Sequence, residues 1–183
     1  MNRDEALTIL KEYTKSESLL KHAYAVESAM IAYAEKFGED KEKWSVTGLL
    51  HDFDYEMFPD EHPLRGNEIL KEKGVPDDIR TAIMGHADYS GVPRETLMAK
   101  TLFAVDELCG FITAVTLVRP SRSLNEVKFK SVKKKLKDKK FAAKVNREEI
   151  TKGAEELNVD FPEHVEFVVA AMSKAADSLG LNP

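Results

Sequence analysis

The sequence predicts an all-α protein, a single helical bundle with at least five main helices. Three observations carry this. Apolar residues recur at three-and-four spacing along most of the chain. No stretch alternates with period two between hairpin turns, so no sheet is expected. The composition is globular, with 43% hydrophobic and 32% charged residues in a chain of 183. A chain of that length buries roughly two thirds of its unfolded surface, enough for a core without disulfide or structural metal.

The elements follow in order. Ala6, Ile9, Leu10 and Tyr13 define a first helix over 4–13, with Asp4 and Glu5 in its first turn, where negative charge favours a helix start. Ser16 or Ser18 can cap a second helix, whose buried stripe runs Leu19, Ala23, Val26, Met30, Tyr33, Phe37 and which Gly38 ends. A third spans roughly 40–51. The segment HDFDYEMFPDEHP, residues 51–63, is too acidic and too rich in proline for a regular element and reads as a loop. Pro63 suits the first turn of a helix ending at Gly74, and Pro76 opens the next. After the break ADYSGVP, a long helix covers 95–117, and Pro120 stops it. Residues 123–145 are lysine-rich, with Phe129, Val132, Leu136 and Phe141 as a packing face. Residues 146–183 form an acidic helical tail, opened by the capping pair Asn146 and Glu149. Both segments are expected to pack on a core over 16–119, giving one domain over 1–183.

Charge and cysteine content exclude several classes. Lys plus Arg is 27 against 32 acidic residues, a net charge of -5, so nothing global steers the chain to nucleic acid. The single cysteine, Cys109, excludes an intrachain disulfide and a four-thiolate metal site. No apolar run approaches the ~18 residues of a membrane span. The opening MNRDEALTILKEYTKSESLL lacks a signal-peptide core, so the expected location is cytoplasmic, with no membrane partner.

The chemistry gathers in His22, His51, Asp52, His62, His86 and Asp106. His22 lies in line with Val26, His86 follows Ala82 and Ile83, and Asp106 follows Leu102 and Phe103. Each is therefore aimed toward a core, where an ionisable group is costly unless paired or metal-bound. Imidazole and carboxylate together suit Fe, Mn, Ni or Zn. Asp52 is the natural bridge between two ions, because its two oxygens can reach two metals. Any one of these histidines alone reads more readily as a satisfied core or surface residue than as a ligand. Their concordance favours metal.

The order of these residues resembles the HD-domain superfamily of metal-dependent phosphohydrolases. GLLHDFDYEMFPDEHPLRGNEIL, residues 48–70, is similar to its HDIG-type signature; AIMGH, 82–86, and LFAVDELCGF, 102–111, resemble the helices that follow. The resemblance implies four ligands, His22, His51, Asp52 and Asp106, and a second position completed by His62 and His86. It implies two divalent ions, Fe, Mn, Ni, Zn or Mg, and a small phosphorylated substrate, in the first place a nucleotide. Where many HDIG-type members carry Gly and Lys after the His–Asp pair, this chain has Asp54 and Tyr55.

The expected reaction is hydrolysis of a phosphate ester, with Asp52 central. Arg65, about one turn from His62 on the following helix, is its candidate phosphate donor or else a solvated side chain. Arg119, Arg122, Lys130 and Lys133 would extend an anion-friendly rim. Asp54 and Glu56 read as proton-transfer groups or as loop solubility. Two other classes stand beside this one. The same six positions serve di-iron oxygenases of the HD type. The lysines of 128–144 could serve nucleic-acid or nucleotide binding, with a solvated helix face as the blander reading. Tyr33, Trp44 and Cys109 read as core, and His164 stands outside the site.

Overall fold

The computed structural model describes residues 1–182, which form ten α-helices and no strand. They are α1 (Arg3–Tyr13), α2 (Glu17–Phe37), α3 (Lys41–Leu50), α4 (Leu64–Glu72), α5 (Asp77–Gly85), α6 (Leu97–Leu117), α7 (Phe129–Leu136), α8 (Arg147–Glu156), α9 (Phe161–Ser173) and α10 (Ala176–Leu179). The all-α expectation holds.

The two 21-residue helices, α2 and α6, form the centre. α2 packs on α3 and α6; α7, α8 and α9 pack on α6. Tyr33, Trp44, Phe53 and Phe111 are fully buried between them. Each such side chain contributes roughly 1.5–3 kcal/mol by leaving water. Cys109 is buried and free, as expected. No helix of the described residues is long and apolar enough to cross a membrane.

Local chemistry sets the helix ends. Asn2 and Glu5 form a reciprocal capping box at α1. Ser16 stands at the N-cap of α2 but makes no side-chain capping bond, and Gly38 closes that helix in the left-handed region at φ 72°. Asn146 caps α8 by accepting from the N–H groups of Glu148 and Glu149. Its own N–H donates to Glu107 instead of Glu149, so the predicted capping box is only half formed. The acidic tail is three helices, broken at Asn158, whose φ is 55°, and again after Ser173.

The segment 51–63 is a series of turns, held from both sides. Glu56 accepts hydrogen bonds from the N–H groups of Lys15 and Ser16, 2.9 and 3.0 Å long, at the α1–α2 junction. Thr14 donates its hydroxyl to the Phe53 carbonyl at 2.9 Å. Glu56 is therefore an anchor of the loop, which corrects both readings its sequence position offered.

Candidate metal centre

Four helices and the 51–63 turns deliver six side chains to one place. His22 comes from the first half of α2 and Asp106 from the middle of α6. His51 and His86 are the C-cap residues of α3 and α5. Asp52 and His62 come from the turns between α3 and α4.

Histidine orientation is fixed from behind. His51 Nδ1 lies 2.7 Å from the Gly48 carbonyl, and His86 Nδ1 bonds the Ile83 carbonyl. A carbonyl only accepts, so each Nδ1 carries a proton, and Nε2 is the nitrogen left facing the site to hold an ion. His62 Nδ1 donates to the Asp54 carboxylate at 2.7 Å, with the same result. This backing is the usual arrangement behind metal-binding imidazoles.

The free nitrogens converge on carboxylates. His22 Nε2 is 2.9 Å and His51 Nε2 3.3 Å from Asp106 Oδ1. Asp52 divides its oxygens: Oδ2 is 3.5 Å from His51 Nε2 and 3.9 Å from His22 Nε2, whereas Oδ1 is 3.2 and 3.3 Å from the Nε2 atoms of His62 and His86. Two groups result, His22–His51–Asp52–Asp106 and Asp52–His62–His86, with the ligand atoms of each within 4.8 Å of one another. The donor set fits two divalent ions. His62 and His86 face each other Nε2 to Nε2 at 3.2 Å, a spacing that either a proton on one ring or a cation between the two satisfies.

Electrostatics agree. Burial opposes charge on His51, but Asp52 and Asp106 outweigh it and raise its pKa well above the ordinary value. Burial likewise opposes the Asp52 and Asp106 carboxylates, and their histidines hold both well below the usual range. His62, despite burial, is raised to about 9 by Asp52 and Asp54. The pocket thus attracts positive charge strongly.

The groups open into a cleft of about 340 Å³, whose further lining includes Tyr55, Tyr89, Glu107, Asn146 and Glu149. Tyr89 donates its hydroxyl to the His62 carbonyl at 2.9 Å. Burial, then Asp106, raises Glu107 to about 7, and burial with Asp88 and Asp106 raises Glu149.

All six sequence-predicted ligands meet here; the basic residues do not. Arg65 pairs with Glu68 at 2.7 Å and lies over the Phe58 ring, outside the cleft. Its expected placement assumed that His62 rides on the same helix. α4 begins only at Leu64, so helical spacing does not relate the two. Arg119, Lys130, Lys134 and Lys135 line a separate pocket at the far end of α6. No Lys or Arg lines the metal cleft. Asp54, only 1% exposed, orients His62 and is neither a solvating loop residue nor open to substrate. Glu107, Asn146 and Glu149 escaped the sequence reading; Asn146 and Glu149 reach the cleft through the packing of α8 on α6, which brings them beside Glu107. The one available signal was the adjacency of Glu107 to Asp106.

This helical scaffold and its divided Asp52 define an HD-type metal site. The family model described as HD domain matches residues 19–109, and the chain belongs to the HD-domain superfamily. The chain is also similar to Ribonuclease Y of Oleidesulfovibrio alaskensis, with 31% identity over 98 residues, 52% of this chain and 18% of that protein. The matched stretch is therefore under a fifth of that relative's length. No solved structure matches.

Proposed function

We propose that the protein is a metal-dependent phosphohydrolase acting on a small phosphate ester, a nucleotide in the first place. The carrying observation is Asp52, whose two oxygens each face a different ligand group. Two divalent ions held by His22, His51, Asp52 and Asp106 and by Asp52, His62 and His86 would supply Lewis-acid polarisation and a lowered water pKa. In the net reaction the ester P–O bond breaks, a P–O bond to the water oxygen forms, and the alcohol leaves with a proton.

The chain's residues do the positioning. Asp52 holds both ligand groups in register, and Asp54 fixes the His62 ring. Tyr55 and Tyr89 wall the cleft mouth. The lining carries Glu107 and Glu149 and no Lys or Arg, and Asp88 is paired with Arg94 and Lys152 at 2.7 Å each, so the offset to a phosphoryl group's charge would come from ions held by the six ligands. That balance favours a substrate with one phosphoryl group at the site over a polyanion. Superfamily membership supports phosphoester chemistry, and the name of the similar ribonuclease belongs to the same reaction class.

The test is a panel of nucleoside mono-, di- and cyclic phosphates with Mn, Ni, Mg or Fe. Phosphate or nucleotide release by the wild type that vanishes in Asp52→Ala is the expected result. Dioxygen consumption by the reduced iron-loaded protein, with no phosphoester turnover, would replace this reading with an oxygenase.

A further inference from the structure

A second cavity, about 630 Å³, adjoins the metal cleft. His22 and Gly110 line both. On α6, Asp106, Gly110, Thr113 and Leu117 follow at four, three and four residues, one continuous stripe leading from the metal ligands into the cavity. On α2, Ser18 and His22 stand four apart and form the facing wall. The segment Leu179–Leu181 closes the far side. It is pinned there by the Leu181 carbonyl, which accepts from the Leu124 N–H at 3.0 Å.

Gly110 lies at the junction, and packing does not demand it. At Gly48, Gly66 and Gly153 an added Cβ would strike a neighbour at 2.9, 2.6 and 2.6 Å. At Gly110 it would meet only His22 Cε1, at 4.0 Å. Glycine is among the least favourable residues inside a helix. Here it sits within a 21-residue one without a steric reason. What its missing side chain leaves uncovered is the edge of His22, about one methyl group of space where the two cavities meet.

The lining describes the occupant. Leu117, half-exposed, offers apolar surface, backed by the nearly covered Leu179 and Leu181. Ser16 and Ser18 hydroxyls bond one another at 2.9 Å, and Thr113 donates its proton to the Cys109 carbonyl. Hydroxyl lone pairs therefore remain for donors on a ligand. Lys21 is paired with Glu17 at 2.6 Å, so the wall carries no uncompensated cation for a second phosphate. The volume lies within the ~300–1,000 Å³ of clefts that hold small organic molecules.

We propose that this cavity takes the neutral, hydroxyl-bearing organic part of the substrate, a nucleoside, and that Gly110 is the specificity-determining opening to it. The proposal rests on the phosphohydrolase reading, which places the phosphoryl group in the metal cleft. The α2 and α6 stripes then select the leaving group, and the size of residue 110 limits it.

The test separates the two claims. Calorimetric titration of the metal-loaded protein with free adenosine, guanosine, cytidine and uridine reads the cavity alone; turnover of their 5′-monophosphates reads the reaction. Saturable binding of at least one nucleoside to the wild type is expected. Gly110→Leu should weaken it about tenfold or more, the scale at which pocket shape discriminates, while still binding two metal ions. Gly110→Ala, which favours the helix, should fold with a raised Tm and an intermediate loss. Should Gly110→Leu not fold, Thr113→Phe narrows the same stripe one turn further on. Failure of every nucleoside to bind the wild type, or equal binding by the narrowed variants, overturns the cavity assignment. Gly110-dependent binding without any ester turnover leaves the cavity standing and removes the hydrolase. Nucleotide turnover indifferent to Gly110→Leu does the reverse.

Discussion

The Asp54 carboxylate stands behind His62. One oxygen accepts the His62 Nδ1 proton at 2.7 Å, and the other accepts the Gly66 N–H at 2.8 Å. One buried residue thus orients an imidazole and satisfies a first-turn donor of α4. Gly66 is what lets the carboxylate in, since a Cβ there would stand 2.6 Å from it. The Gly–Lys pattern common after the His–Asp pair is replaced here by a side chain serving the metal centre from behind.

Removing that support should loosen one ion and spare the other. Asp54→Ala, and Gly66→Ala by displacing the carboxylate, should weaken the His62–His86 position about 10–100-fold. The group containing His22, His51 and Asp106 makes no bond to Asp54, so its ion should remain. Metal analysis during stepwise chelation checks this; two unchanged binding steps in both variants would refute it.

His22, His86 and Asp106 were legible as ionisable residues at a helical phase that points inward, as His86 is after Ala82 and Ile83, and His51–Asp52 as an adjacent pair; His62, in the turns, was legible only through the family resemblance. Helical phase also misled, at Arg65. His62 precedes the helix, so a one-turn spacing to Arg65 has no meaning across Pro63. The polar side chains that α8 and its cap bring to the cleft were hidden for a different reason. Glu149 and Asn146 come from α8, far along the chain, and a sequence pattern describes one helix rather than the meeting of two. The lysine-rich segment was legible only as composition: α7 covers Phe129–Leu136, and turns follow.

The meeting of α6 and α8 gives a prediction of its own. Gly153 lies so close to α6 that an added Cβ would be 2.6 Å from the Ala104 Cα. That atom is backbone and cannot swing aside. Gly153→Ala should push α8 outward at a cost of about 1–3 kcal/mol, the range for overpacked contacts, despite alanine's better helix propensity. Urea unfolding measures it. Unchanged or greater stability would mean that the two helices separate freely.

Asp52 should be unequal to every other ligand. His86→Ala removes one partner from one group and should leave a single tightly held ion. Asp52→Ala removes an oxygen from both groups and should lower both affinities together. Equilibrium dialysis gives the stoichiometries; one full-affinity ion retained in Asp52→Ala would show that this carboxylate does not join the two groups.

His164, outside the metal centre, should make the fold acid-sensitive. Its Nε2 donates to the Ala104 carbonyl at 2.9 Å, and its Nδ1 accepts from the Tyr33 hydroxyl at 2.6 Å. This pairing needs the neutral ring. Burial lowers the His164 pKa; the Ala104 bond opposes the shift, and the Lys36 charge assists it. Burial also raises the Tyr33 pKa, so the phenol stays protonated as the donor. With its folded pKa below the unfolded value of about 6.5, the folded state binds fewer protons. The contribution of His164 is then complete above that value and falls away as the pH drops toward the folded pKa. His164→Leu leaves the Tyr33 hydroxyl and the Ala104 carbonyl without their partner, a loss of roughly 1–3 kcal/mol near neutrality. Metal-centre titration is common to both proteins and cancels in their difference. The stability gap between wild type and His164→Leu should therefore narrow from about pH 8 to about pH 5, the window in which histidine titrates. A gap that stays constant or widens on acidification would mean that His164 is not held neutral between Tyr33 and Ala104.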